Sequence, residues 1–306
     1  MKIAIMATGG VGGVFGAKLA EAGEDVHFIA RGAHLDAIRA GGLKITGDGG
    51  DTLISDAKAT DAPATIGPVD VVVFAVKLWD TETAAEMCKP MLDDNTVVIP
   101  FQNGVGSMEA ISAVIGAQHT AGGVSRVSAS IEAPGVIHQV GDFAYLGFGE
   151  AAGGGSPRLE AFLDVCKNAG IDSEITEDIQ RALWQKFIFL VALSGMTTAA
   201  RTPLRALIES DEGLATARTC MEEIAAVGRA RGVALPDNIV DKLVAFGQSI
   251  PKSMKASQAI DLDAGRRLEA PWLTGAVCSM GRDAGVPTPV NDALYAVISP
   301  FNLGTS

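Results

Sequence analysis

Short β-branched runs alternate with alanine-rich helical stretches along the first half of the chain. Lys2 to Met6, Asp25 to Ala30, Asp70 to Val76 and Thr96 to Phe101 are the strand candidates. In Val71-Val72-Val73-Phe74-Ala75-Val76 every position is apolar, as expected of a strand with helices on both sheet faces. Strands alternating with helices in this rhythm predict a parallel, doubly wound sheet with crossover helices.

From Thr120 to Glu150 the texture changes. Gly135-Val136-Ile137-His138 and Ala144-Tyr145-Leu146-Gly147-Phe148 read as antiparallel additions that finish the first sheet. Gly153-Gly154-Gly155-Ser156-Pro157 is a turn opening a helix. After Thr176 the spacing of apolar residues is helical almost throughout, with stops at Gly232, Pro236 and Gly285. The expected architecture is an α/β chain in two domains. A Rossmann-type, mostly parallel sheet occupies residues 1–176, and an all-helical domain occupies 177–306.

Composition narrows the partners. A chain of 306 residues that is 48% hydrophobic fills two modest cores and is not disordered. A formal charge of -12 repels nucleic acid and anionic membranes, so neither is an expected partner. Cys88, Cys166, Cys220 and Cys278 form no CxxC pair, which argues against a bound metal, a redox motif or a disulfide framework and implies a reduced, cytoplasmic setting. The first six residues read as a strand rather than a signal segment. No apolar run is expected to reach the ~20 uncharged residues of a membrane helix; Phe187 to Ala200 is shorter.

The chemistry begins where the first strand ends. Ala7-Thr8-Gly9-Gly10-Val11-Gly12-Gly13-Val14-Phe15-Gly16 leads into an Ala/Leu helix, the strand, glycine turn and helix order of a dinucleotide site. Ala7 stands where the first glycine is usual. Gly9 would let backbone approach a pyrophosphate, Gly12 would let the helix pack against the strand, and the N–H groups from Gly9 through Gly10, Val11 and Gly12 to Gly13 would face the phosphates. The second strand ends at Arg31, where an NAD enzyme would carry a carboxylate about 20 residues beyond the turn. An arginine there suits a 2′-phosphate, through charge-assisted bonds and stacking on adenine, so NADPH is the expected cofactor.

The opening Lys2-Ile3-Ala4-Ile5 with Gly9-Gly10-Val11-Gly12-Gly13, and Ala30-Arg31-Gly32-Ala33-His34-Leu35, resemble the amino terminus of the ketopantoate reductase (2-dehydropantoate 2-reductase) family. Val76-Lys77, Gln102-Asn103-Gly104-Val105-Gly106, Trp184-Gln185-Lys186 and Ser257…Asp261…Gly265-Arg266…Glu269 extend the resemblance through the chain in order. It implies NADPH-dependent reduction of ketopantoate to pantoate in pantothenate biosynthesis. Lys77 and Asn103 would then sit beside the nicotinamide and the substrate, and Lys186 would be the general acid. Glu269 would bind substrate and support Lys186, and Ser257 would bind polar groups of the substrate. The substrate would enter a cleft between the domains. A proton donor is required in any case, because hydride addition builds negative charge on the carbonyl oxygen.

Two positions depart from the family. Leu190 and Ser194 stand where asparagines usually follow the lysine by four and eight residues, on its own helix face. A branched or aromatic 2-oxo acid is therefore an alternative substrate, since an apolar pocket does not read a hydroxyl. A non-enzymatic NADPH sensor is a further alternative, and a flavoprotein is disfavoured by Arg31. His27, His34, His119 and His138 are expected to be structural. The apolar helix faces of the second half suit a homodimer interface as well as the monomer's own interior.

Overall fold

The computed structural model describes residues 1–304. Its strands are β1 (Lys2–Met6), β2 (Asp25–Ile29), β3 (Leu43–Gly47), β4 (Thr52–Ile54), β5 (Lys58–Thr60), β6 (Val71–Phe74), β7 (Val97–Pro100), β8 (Ala121–Arg126), β9 (Ala129–Ala133), β10 (Val136–Gln139), β11 (Tyr145–Glu150) and β12 (Asp172–Ile175). Helices α1 (Gly10–Glu21), α2 (Gly32–Gly41), α3 (Thr81–Cys88), α4 (Ser107–Ile115) and α5 (Pro157–Asn168) are interspersed among them. The chain divides into two compact units. One comprises Met1–Gln102 with Gly106–Ile179, and the other comprises Asn103–Val105 with the chain from Gln180 onward.

The first unit is organised by a parallel sheet of order β5-β2-β1-β6-β7. Its continuous apolar strands separate by parity. Ile3, Ile5, Val71, Val73, Val97 and Ile99 enter one buried cluster, with Val14, Phe15 and Leu19 of α1. Ala4, Met6, Val72, Phe74 and Val98 enter another, with Ala84, Ala85 and Cys88 of α3 and Ile111 and Ile115 of α4. Successive strand residues point to opposite faces, so a run that is apolar at every position needs helices on both sides.

The antiparallel runs correct the expectation that they would finish this sheet. β8 and β11 pair with each other and with β12 in a three-stranded sheet, while β9 and β10 join β3 and β4 in a separate four-stranded one. An isolated parallel bridge, Val98 to Thr120, connects the end of the first sheet to the start of β8. Aromatic packing carries the core across that step: the Phe101 and Phe148 ring centroids lie 6.5 Å apart and those of Phe148 and Phe162 5.1 Å apart. The short, partly polar strands β3, β4, β5 and β12 had no sequence signature of their own.

The second unit is helical, with α6 (Ile179–Ala200), which begins at the boundary, then α7 (Leu204–Ile208), α8 (Asp211–Ala230), α9 (Ile239–Ser249), α10 (Ser257–Asp263), α11 (Thr274–Ala284) and α12 (Pro289–Ile298). Gly285 ends α11 in the left-handed region at φ 66°, which glycine adopts without Cβ strain. Glu223 of α8 accepts hydrogen bonds from Val290 N at 2.9 Å, Asn291 N at 3.0 Å and Asn291 Nδ2 at 2.7 Å. A buried carboxylate thereby satisfies the donors at the start of α12.

The expectation that no uncharged run reaches membrane-spanning length holds for α6, which is interrupted by Arg181 and Lys186. By length and composition this helix is apolar enough to cross a membrane, but 67% of its most apolar stretch is buried inside the protein, which a core helix also shows.

Candidate functional site

In the first unit the strand order reverses at β1, which has β2 on one side and β6 on the other. Open α/β sheets gather ligands outside the carboxyl ends of their strands at such a point. The Gly9–Gly13 turn follows β1, Arg31 follows β2 and Lys77 follows β6, so the sheet brings these predicted positions to one edge, together with Gln102 after β7.

The turn fits a dinucleotide phosphate. Gly9 is the N-cap of α1, no side chain caps it, and the first helical turn carries no acidic residue. Its early N–H groups therefore lack intrahelical acceptors and point outward with the positive end of the helix dipole. A Cβ at Gly9 would meet nothing within 4 Å, so backbone is open to approach there. The neighbouring glycines serve packing: a Cβ at Gly12 would stand 2.2 Å from Ala7 O, and one at Gly10 would stand 2.2 Å from Ala129 O. Side chains at either position would drive α1 away from the turn or from β9.

Residues given no ligand role by the sequence help to hold this edge in place. Thr8 is buried, and its N and Oγ1 both donate to Ile29 O, at 2.9 and 3.0 Å. Gln102 Nε2 donates to Val76 O and to Thr81 Oγ1, each at 2.9 Å, fixing the segment that carries Lys77. Lys77 is exposed, with Nζ 5.7 Å from the centre of the Trp79 ring. His34 Nδ1 accepts from Gly135 N at 3.1 Å. Burial lowers its pKa, and the Thr8 backbone offsets this only in part, so the ring is neutral near pH 7 with its proton on Nε2. Polar residues at loop positions were the only signal for these roles, and such residues are too common to stand out.

Arg31 is held differently. Its side chain is 86% exposed, and Nη2 donates to Asp80 Oδ2 at 3.1 Å. Asp80 closes the short turn Leu78–Asp80 that follows Lys77. The pairing brings an anion to the very guanidinium assigned to a phosphate, and sequence inspection did not foresee it.

In the second unit Lys186 is half-buried on α6, and Leu190 one turn later shares that exposure. Ser194 is 1% exposed and its Oγ has no hydrogen-bond partner among the described residues. Phe189 stands edge-on to Phe246 of α9, with centroids 4.9 Å apart. Ser257 is exposed at the first position of α10, and Glu269 is 8% exposed just before the turn Ala270–Trp272. Asn103 is half-buried and groups with this unit. The other histidines make local contacts: His27 Nε2 lies 3.1 Å from Asp25 Oδ1, His119 Nδ1 3.2 Å from Thr96 O and His138 Nδ1 3.1 Å from Thr46 Oγ1.

A doubly wound nucleotide-type sheet followed by a helical unit defines an oxidoreductase architecture, and comparison with known proteins specifies it. Residues 3–153 match the family model described as ketopantoate reductase PanE/ApbA, and residues 178–302 match its C-terminal counterpart. The chain belongs to the ketopantoate reductase family and is an oxidoreductase of the 2-dehydropantoate 2-reductase type. It is 34% identical to a 2-dehydropantoate 2-reductase of Mesorhizobium japonicum, with 97% of each chain covered. It is also similar to the crystal structure of a PanE/ApbA family ketopantoate reductase from Ralstonia eutropha JMP134, at 31% identity and a TM-score of 0.90, covering 99% of this chain and 98% of that one. A ternary structure of D-mandelate dehydrogenase with NADH and anilino(oxo)acetate shares the fold at 21% identity and a TM-score of 0.89, covering 99% and 98%.

Proposed function

We propose that this chain reduces ketopantoate to pantoate with NADPH, the pantothenate-pathway step, in the cytoplasm. The reading is carried by the uncapped start of α1 at the sheet's reversal point, in a chain whose relatives along nearly its whole length include 2-dehydropantoate 2-reductases. Residues 1–176 would bind the cofactor and residues 177–306 the substrate. Within the Gly9–Gly13 turn the N–H groups of Gly10, Val11 and Gly12 receive the pyrophosphate, while those of Gly9 and Gly13 are donated to Ala7 O and Gly9 O and shape the turn; the Arg31 fork receives the 2′-phosphate. NADPH, when bound, supplies a hydride to the substrate's carbonyl carbon. Lys186 donates a proton to the carbonyl oxygen and stabilises the charge that develops there. Glu269 favours the charged lysine and binds substrate, while Lys77, Asn103 and Ser257 orient its polar groups.

A second reading keeps the chemistry and changes the acid. Leu190, one turn beyond Lys186 and half-buried, offers apolar surface where an amide would read a hydroxyl, and Ser194 replaces the next amide. That favours a branched or aromatic 2-oxo acid. Measuring NADPH oxidation over a panel of 2-oxo acids decides between the two. Ketopantoate is expected to give the highest kcat/KM, and ranking it among the poorest substrates would defeat the first reading in favour of the second.

A further inference from the structure

We infer that Asp80 sets how strongly this protein distinguishes a dinucleotide carrying a 2′-phosphate from one lacking it, by acting against Arg31. The inference rests on the cofactor reading above and concerns a residue to which that reading gives no part.

The observation is the single-point pair of Arg31 Nη2 with Asp80 Oδ2 at 3.1 Å, with side chains 86% and 34% exposed. The residues are 49 positions apart and meet because β1 separates the strands they follow: Arg31 follows β2, and Asp80 follows β6. An exposed pair of this kind contributes little to the fold. Asp80 is the N-cap of α3 and its charge suits the start of that helix, but its side chain makes no capping hydrogen bond and turns to Arg31 instead. Its effect falls on whatever Arg31 binds.

A phosphate monoester carries roughly −1.5 to −2 charges near neutral pH. Accepted by the same guanidinium, it lies well inside the Debye length of ~8 Å from the Asp80 carboxylate, and salt screens the repulsion only in part. Two anions then compete for one cation, and Asp80 also withdraws one of the five N–H donors of the fork. The unphosphorylated nucleotide presents a neutral hydroxyl and meets no such repulsion. Asp80 therefore weakens binding of the phosphorylated cofactor selectively, so the preference for it is smaller than Arg31 alone would give. The glycine turn, which handles the pyrophosphate common to both nucleotides, is indifferent to this pair.

The test is calorimetric titration of NADPH and NADH into the intact protein, with no turnover needed. In Asp80→Asn the ratio of the NADH to the NADPH dissociation constant should rise about tenfold, almost entirely through tighter NADPH binding, and the gain should shrink as salt is added. Asp80→Glu, which keeps the charge, should retain the wild-type ratio. An unchanged ratio in Asp80→Asn, or equal shifts for both nucleotides, would overturn the inference. Arg31→Gln separates it from the reading beneath: a ratio unmoved by that change removes the 2′-phosphate assignment itself, and Asp80's role with it. A ratio lost in Arg31→Gln but unmoved in Asp80→Asn removes only the role of Asp80.

Discussion

In the first unit the candidate site is a turn of main chain, Gly9 to Gly13, anchored by Thr8 to the end of β2 and pressed against Ala7 and Ala129. In the second it is a set of side chains, Lys186, Ser257 and Glu269, displayed from α6, α10 and the segment before α11. The two kinds of site fail in different ways. A site made of backbone depends on close approach, and any added atom disturbs it. One made of side chains depends on each functional group and on the helices that hold it in place.

The sharpest break of this contrast is Lys186→Ala. Losing a general acid should lower kcat by about 10²- to 10⁴-fold while leaving the NADPH dissociation constant nearly unchanged, as steady-state kinetics and titration would show; unchanged turnover would remove the role given to Lys186. The reverse pattern is expected at Gly12→Val. Its Cβ would meet Ala7 O at 2.2 Å, backbone that cannot swing aside, so overpacking should cost up to ~3 kcal/mol of stability and nucleotide binding should weaken with it. Urea unfolding alongside titration checks both. If Gly12→Val unfolds and binds like the wild type, the claim that backbone geometry limits this site is lost.

Smaller effects test whether the second unit rests on polar chemistry in its interior as well. Glu223→Ala leaves Val290 N and Asn291 N without their acceptor and Asn291 Nδ2 with Cys220 O, and it should destabilise by ~2 kcal/mol with little change in NADPH affinity. The last test bears on both units, since each buries two thiols. Burial pushes Cys88, Cys166 and Cys278 up to about 12, and raises Cys220 as well. Unfolded thiols ionise near pH ~8.5, below the folded values. Stability from the buried neutral thiols is thus fully present under that pH and is lost as pH climbs toward about 12. Between pH ~9.5 and ~10.5, Cys88→Ala should flatten the fall in unfolding free energy by ~1.4 kcal/mol per pH unit. An unaltered slope would mean that Cys88 does not titrate on unfolding.

Much of the organisation was legible in the chain. Apolar and β-branched runs located β1, β2, β6 and β7, and Gly232 and Gly285 lie where helices stop. The glycine turn and Arg31 were found because a phosphate site needs those residue types directly after strands. Lys186, Ser257 and Glu269 came from resemblance rather than pattern, because a lysine, a serine or a glutamate on a helix carries no local mark of its chemistry. Leu190 and Ser194 could be seen as departures only against that same family.

The sequence by itself determined the apolar strands of the first sheet, the helical character of the second half and where a nucleotide-type turn must lie, because periodicity, glycine placement and burial demand are properties of neighbouring residues. Tertiary structure alone decided that the antiparallel runs build two further sheets, the three-stranded one linked to the first by the Val98–Thr120 bridge, that Asp80 reaches Arg31, and that Glu223 caps α12 from 68 residues away. Each of these joins positions far apart along the chain. Strand order and helix packing create such meetings, and the spacing of residues does not encode them.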